Sequence, residues 1–117
     1  MLTVAALEAY GADVKEGLTR CLSNESFYLR MVGMTLEDEN LGRLGKALEE
    51  EDWKGAFEAA HALKGVMANL ALTPVYAPVS ELTEMLRGEN VTVDAGEAGR
   101  LYAQAEEAFA ALKALAE

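Results

Sequence analysis

Apolar residues recur three and four positions apart in three stretches of this chain, and that spacing confines it to a helical fold. Leu41, Leu44, Ala47 and Leu48 make one run. Ala56, Ala59, Leu63, Met67 and Leu70 make a second, and Leu101, Ala105, Ala108, Phe109, Leu112 and Leu115 a third. Side chains at those intervals share one face of a 3.6-residue helix but fall on both faces of a strand. Composition agrees, because Ala and Leu dominate the apolar residues, Ala, Leu, Glu, Lys and Met all favour helix, and β-branched residues are scarce. With 117 residues, 51% of them hydrophobic, the chain is long enough to bury one real core.

The stops and starts between these runs are also legible. Thr3 is placed to cap a short helix ending at Tyr10, with Gly11 as its stop, and Asp13 opens a second short segment through Val14, Leu18 and Cys21. Asn24 caps a third helix, and the mixed spacing of Phe27, Leu29, Met31, Val32 and Met34 predicts that it is buried. The run Glu37-Asp38-Glu39-Asn40 breaks or bends the chain. The string Glu49-Glu50-Glu51-Asp52 ends one helix and caps the next through Asp52. Thr73 reads as an N-cap with Pro74 at the first helical position. Pro78 either bends that helix or marks its true start. Gly88-Glu89-Asn90 reads as a turn, Val91-Thr92-Val93 as a short extended link, and Asp94 as the cap of the last helix. No repeat, low-complexity tract or domain boundary interrupts this pattern. The expectation is a single all-α domain over residues 1–117: an antiparallel four-helix bundle with short additional N-terminal helices.

Charge narrows the function. Twenty acidic residues against ten basic ones give a formal net charge of -10. That balance argues against nucleic acid, which demands clustered Lys and Arg, and against an anionic membrane surface. Cys21 stands alone, so an internal disulfide and a cysteine metal cluster are both excluded, and a buried thiol is expected. The acidic runs read as solvated turns and caps without the spacing of a calcium loop. The N-terminus has neither the basic start nor the apolar core of a signal peptide, and no stretch is long enough to span a membrane. A reducing, cytoplasmic setting is expected. A Met1 start and an end at a predicted helix favour a free-standing protein, with a domain cut from a larger hybrid kinase as the open alternative, and a bundle with its core filled is expected to be monomeric.

The second run carries the chemistry. On a helix over residues 53–72, with His61 at zero, Leu63, Met67, Leu70, Ala59 and Ala56 fall between about 160° and 240° on an ideal helix. The sole histidine therefore points away from the core stripe and is presented to solvent. Lys64 and Gly65, at i+3 and i+4, adjoin it. A mid-helix glycine costs roughly 1 kcal/mol relative to alanine, and close approach of another molecule to the imidazole would explain it. Lys64 offers a positive charge, and Lys54 lies farther along the same side. Phe57, Ala68 and Leu72 project within about 40° of His61 and form an apolar rim suited to a partner. A neutral imidazole has a free ring nitrogen that is nucleophilic toward phosphorus. No Gly-rich nucleotide loop, Walker lysine motif or acidic metal cage accompanies it. The pattern is that of a phosphoryl carrier whose partner supplies metal and activation.

The segment Ala60-His61-Ala62-Leu63-Lys64-Gly65-Val66-Met67-Ala68-Asn69-Leu70 resembles the H-x-L-K-G signature of the histidine phosphotransfer (HPt) family of phosphorelay proteins. The flanks agree, with an acidic-Asp-Trp stretch before the motif and an apolar helix after it, so the resemblance covers roughly residues 24–87. It implies that His61 is phosphorylated on Nε2, that Lys64 steadies the phosphoryl group, and that Gly65 admits the partner. It further implies a receiver domain of a response regulator or hybrid kinase as partner, with Mg²⁺ held by that receiver and no cofactor on this chain. Some family members use a Gln or Glu on the next helix to hydrogen-bond the other ring nitrogen. The ungapped match here is Thr83, a shorter side chain. Ala71 stands where the family often has glycine.

Three readings remain open on the residues. In the first, phosphoryl groups pass between receiver aspartates through His61. In the second, a non-catalytic bundle docks a receiver or another helical protein, and in the third the bundle is purely structural. A self-sufficient kinase is disfavoured because no nucleotide-binding segment exists. Replacing His61 with Gln separates carriage, which vanishes, from docking, which survives.

Overall fold

A computed structural model describes residues 1–88 and 91–117, and Glu89 and Asn90 of the expected turn lie outside the described residues. Among the described residues seven helices follow one another: α1 (Val4–Tyr10), α2 (Val14–Arg20), α3 (Glu25–Thr35), α4 (Asn40–Glu49), α5 (Trp53–Asn69), α6 (Thr73–Met85) and α7 (Ala95–Leu115). Helices α4 to α7 are the antiparallel bundle, and α1 to α3 are the additional N-terminal helices. Among the described residues there is no strand.

Side-chain caps fix where most of these helices begin. Thr3 Oγ1 accepts from the Ala6 N–H at 3.0 Å, Asn24 Oδ1 from Phe27 at 3.0 Å and Asp52 Oδ1 from Gly55 at 2.9 Å. Asp13 and Asp94 do the same for α2 and α7. Each satisfies an N–H that helix geometry leaves without an internal partner, typically worth about 1 kcal/mol. Gly11 closes α1 at φ 114°, a left-handed conformation that glycine adopts freely. Thr73 departs from expectation. It is the first helical residue rather than the cap, because Leu72 takes the N-cap position and makes no side-chain cap bond. Pro78 lies inside α6 and not at its start, so the helix accepts one missing N–H five residues in. Helix α3 is also less enclosed than its sequence suggests. Tyr28, Val32 and Thr35 are buried, but Met34 is 60% exposed, because α3 packs at one end of the bundle and is covered on one side only.

The core is continuous along α5. Ala56, Ala59 and Ala60 pack with Leu44, Leu82, Leu86 and Leu101 toward one end. Leu63 and Met67 pack with Tyr28, Val32, Val75, Val79 and Leu112 toward the other. Small side chains thus line the first half of the buried face of α5 and larger ones the second.

The N-terminal helices grip the corner between α5 and α6. The Tyr28 hydroxyl donates to the Leu70 carbonyl at 3.0 Å, and the Asp13 N–H donates to the Ala71 carbonyl at 2.9 Å. Gly17 makes the first contact possible, since a Cβ there would sit 2.8 Å from Tyr28 Cζ and 2.9 Å from the Leu70 oxygen. At that corner Ala71 has φ 54°, a left-handed conformation that disfavours a Cβ by about 1–2 kcal/mol. The departure from glycine noted at this position therefore carries a real backbone cost, which the surrounding contacts offset.

Candidate functional site

His61 occupies the middle of α5 with its side chain in solvent, while Ala56, Ala59, Ala60, Leu63 and Met67 on the opposite side are buried. Rigid packing of one face thus fixes the position of the ring on the other. One turn earlier, Phe57 stacks on the imidazole with ring centroids 5.6 Å apart and planes 15° from parallel. Phe57 is half-buried against the core that contains Ala56 and Leu86, so it serves both as core edge and as a shelf for the histidine.

Gly65 faces open space. A Cβ built there meets no atom within 4 Å, so nothing inside the molecule calls for glycine at this point. Gly17 and Gly45 are different, because Tyr28 and Tyr102 respectively occupy the space that a Cβ would need. Lys64 is half-buried along its stem and carries its ammonium toward α6, where Glu84 Oε2 lies 3.7 Å away.

Two residues that sequence reasoning passed over complete the surroundings. Glu84 on α6 accepts from Arg87 Nη2 at 2.8 Å and from its Nε at 3.1 Å. The Arg87 guanidinium lies 5.3 Å from the centre of the Phe57 ring, a cation–π contact. Hydrogen bonding from Arg87, with a smaller attraction from Lys64, holds the Glu84 carboxyl below its ordinary range, and the same bond raises Arg87. A connected set results, running from His61 to Phe57, Arg87, Glu84 and Lys64. The i, i+3 spacing of Glu84 and Arg87 was the signal available in the sequence.

The remaining expectations divide. Lys54 is exposed in the first turn of α5, and Ala68 is half-buried. Leu72 does not belong to the rim: it is fully buried, because α5 ends at Asn69 and the left-handed Ala71 turns the chain inward, so the ideal-helix angle no longer applies. Thr83 does not serve the imidazole. It is fully buried, and its hydroxyl donates to the Val79 carbonyl of its own helix at 2.7 Å. Cys21 is buried as expected.

Two grooves flank the seam between α4 and α7, both bordered by Gly42 and Tyr102, and a third lies beside Phe27; His61, Lys64 and Gly65 line none of them. Among the described residues no group of three or more His, Cys, Asp and Glu is placed to hold a metal ion. No described helix is long and apolar enough to cross a membrane.

Comparison with known proteins finds one relationship. Residues 30–115, most of the chain, match the family model of the Hpt domain. No curated protein and no solved structure matches.

Proposed function

This chain belongs to the Hpt domain family, whose members carry out histidine phosphotransfer in phosphorelays and interact with receiver domains, and from that membership we propose that it carries a phosphoryl group on His61 between receiver aspartates. The observation that supports this reading best is the presentation of His61 beside a lysine and a glycine that the fold itself does not need.

The transfer follows from the imidazole. The Nε2 lone pair attacks the phosphorus of an aspartyl phosphate on the receiver. The N–P bond forms as the acyl O–P bond breaks, and the electron pair leaves on the aspartate carboxylate. Nδ1 keeps its hydrogen, so the ring becomes cationic beside a dianionic phosphoryl group and no proton is released. Onward transfer reverses the step. Lys64 offsets the phosphoryl charge, and Gly65 leaves room for the receiver's active-site loops. Phe57, Ala68 and Lys54 supply the docking rim. The Mg²⁺ of the reaction belongs to the receiver. In this reading residues 1–117 act as one monomeric, cytoplasmic domain with no kinase activity of its own.

The test mixes the purified chain with a receiver domain carrying labelled aspartyl phosphate. Acid-labile, base-stable label on wild type and none on His61→Gln is the expected result. Receiver binding without label, from several receivers, would leave a docking module and refute carriage.

A further inference from the structure

The carboxylate of Glu84 is shared between two cations of unequal hold. Arg87 donates to it at 2.8 and 3.1 Å, whereas Lys64 Nζ stands off at 3.7 Å. Lys64 is also the cation one turn from His61, and a phosphoryl group on that ring needs it. Building on the carrier reading of His61, we infer that Glu84 is a releasable counter-ion: a positioning residue that holds Lys64 in the unphosphorylated protein and yields it to the phosphoryl group.

Four features make the exchange workable. The Lys64–Glu84 contact is long and Glu84 is more than half exposed, so water screens the pair and little is lost when it opens. The phosphoryl group is close to a dianion and competes well against a single carboxylate. Glu84 is not left without a partner when Lys64 departs, because the shorter Arg87 bonds remain. The Lys64 stem rests on the protein and its side chain is only 26% exposed, so swinging the ammonium between two anions takes side-chain rotation with no helix movement. The carboxylate also weighs against the phosphorylated state by competing for its counter-ion. Phospho-His61 is thereby kept at a level from which the group passes on.

In exchange with a receiver charged by acetyl phosphate and Mg²⁺, the ratio of phospho-His61 protein to phospho-receiver at equilibrium is the readout. Removing the competing charge with Glu84→Gln raises that ratio about threefold, the scale of an exposed ion pair. Arg87→Gln leaves Glu84 wholly to Lys64 and lowers it about twofold. Lys64→Ala lowers it as well, and adding Glu84→Gln to Lys64→Ala then changes nothing further. These side chains are half-exposed or more, apart from Lys64, and equal helical circular dichroism for all variants excludes unfolding as the cause. A labelled wild type with Glu84→Gln at or below its ratio overturns the counter-ion role and leaves the carrier reading standing. An equal gain in the Lys64→Ala background also overturns it, because Glu84 would then act by bare charge, and so does a rise with Arg87→Gln. An unlabelled wild type refutes carriage and this role together.

Discussion

Replacing Gly65 with alanine is expected to make the protein more stable and its leucine counterpart a worse phosphoryl carrier. Gly65 lies inside a 17-residue helix, and its missing Cβ would meet nothing within 4 Å. The substitution therefore adds no clash. It gains the difference in helix propensity, about 0.8–1.0 kcal/mol, part of which comes from a less flexible unfolded chain. For 117 residues, at an unfolding entropy of about 2.1 cal/mol/K per residue, that gain raises Tm by roughly 4 °C. Leucine has almost the same propensity and keeps most of the gain, but it sets a branched side chain beside the imidazole at i+4. Displacing a reacting group by about 1 Å can cost on the order of 10²-fold in rate, so Gly65→Leu should slow transfer from a phospho-receiver at least ~10-fold.

Urea and thermal unfolding followed by circular dichroism, beside single-turnover label transfer, read both quantities on the same samples. Gly17→Ala is the internal control, with the opposite sign. A Cβ there meets Tyr28 Cε1 at 2.5 Å and the Leu70 oxygen at 2.9 Å, so overpacking should cost about 1–3 kcal/mol. Loss of stability on Gly65→Ala would refute the claim that the helix does not need this glycine. Unimpaired transfer by Gly65→Leu would refute its role in admitting the partner.

Leu63→Ala removes a fully buried side chain from the middle of the core stripe and should cost about 2–5 kcal/mol by chemical denaturation; a loss under ~1 kcal/mol would show that the site collapses to fill the gap. Alkaline pH should also unfold the protein. Burial pushes Tyr10 and Tyr28 up to about 12, and each hydroxyl donates to a backbone carbonyl. Their folded values lie above the unfolded value of 10.0, so the stabilisation they contribute is complete below that pH and is lost progressively as pH rises toward about 12. Phenolate absorbance and loss of helical dichroism should rise together in that window, and ionisation of these two tyrosines near pH 10 with the helices intact would contradict the burial argument.

Where a local rule and the tertiary context agree, sequence was enough. Thr3, Asp13, Asn24, Asp52 and Asp94 were read as caps and bond the N–H groups expected of them. The five residues of the α5 stripe are all buried. Misreadings cluster where a helix was carried past its end or one angle was trusted too far. Leu72 was placed on the rim by extending an ideal helix through Ala71, which the left-handed turn forbids. Thr83 was chosen by ungapped register, yet it points into the core, and its neighbour Glu84, about 100° farther round the helix, reaches Lys64. Contacts between α5 and α6 depend on their relative rotation, which periodicity within either helix does not encode.

The shape of the site bears on what can donate to it. Small-molecule sites are concave and bury most of their ligand, whereas the grooves along α4 and α7 are shallow and open, with Trp53 and Tyr102 in the walls of one. His61 lies exposed on the outer face of α5 and lines neither groove, so neither would enclose a small phosphodonor at its ring. In the carrier reading, an exposed nucleophile outside both grooves takes its walls from the partner. Placing the imidazole on a helix whose other face is fully packed then has a physical purpose, since rigidity replaces the pocket in fixing the reacting nitrogen. The glycine next to it weakens the helix by about 1 kcal/mol, a cost that a large buried core can sustain. The same glycine would be unexplained if the donor were small enough to approach past a methyl group. The exposed imidazole and the bare glycine thus both suit the proposed donor, a folded protein with its own concave active site.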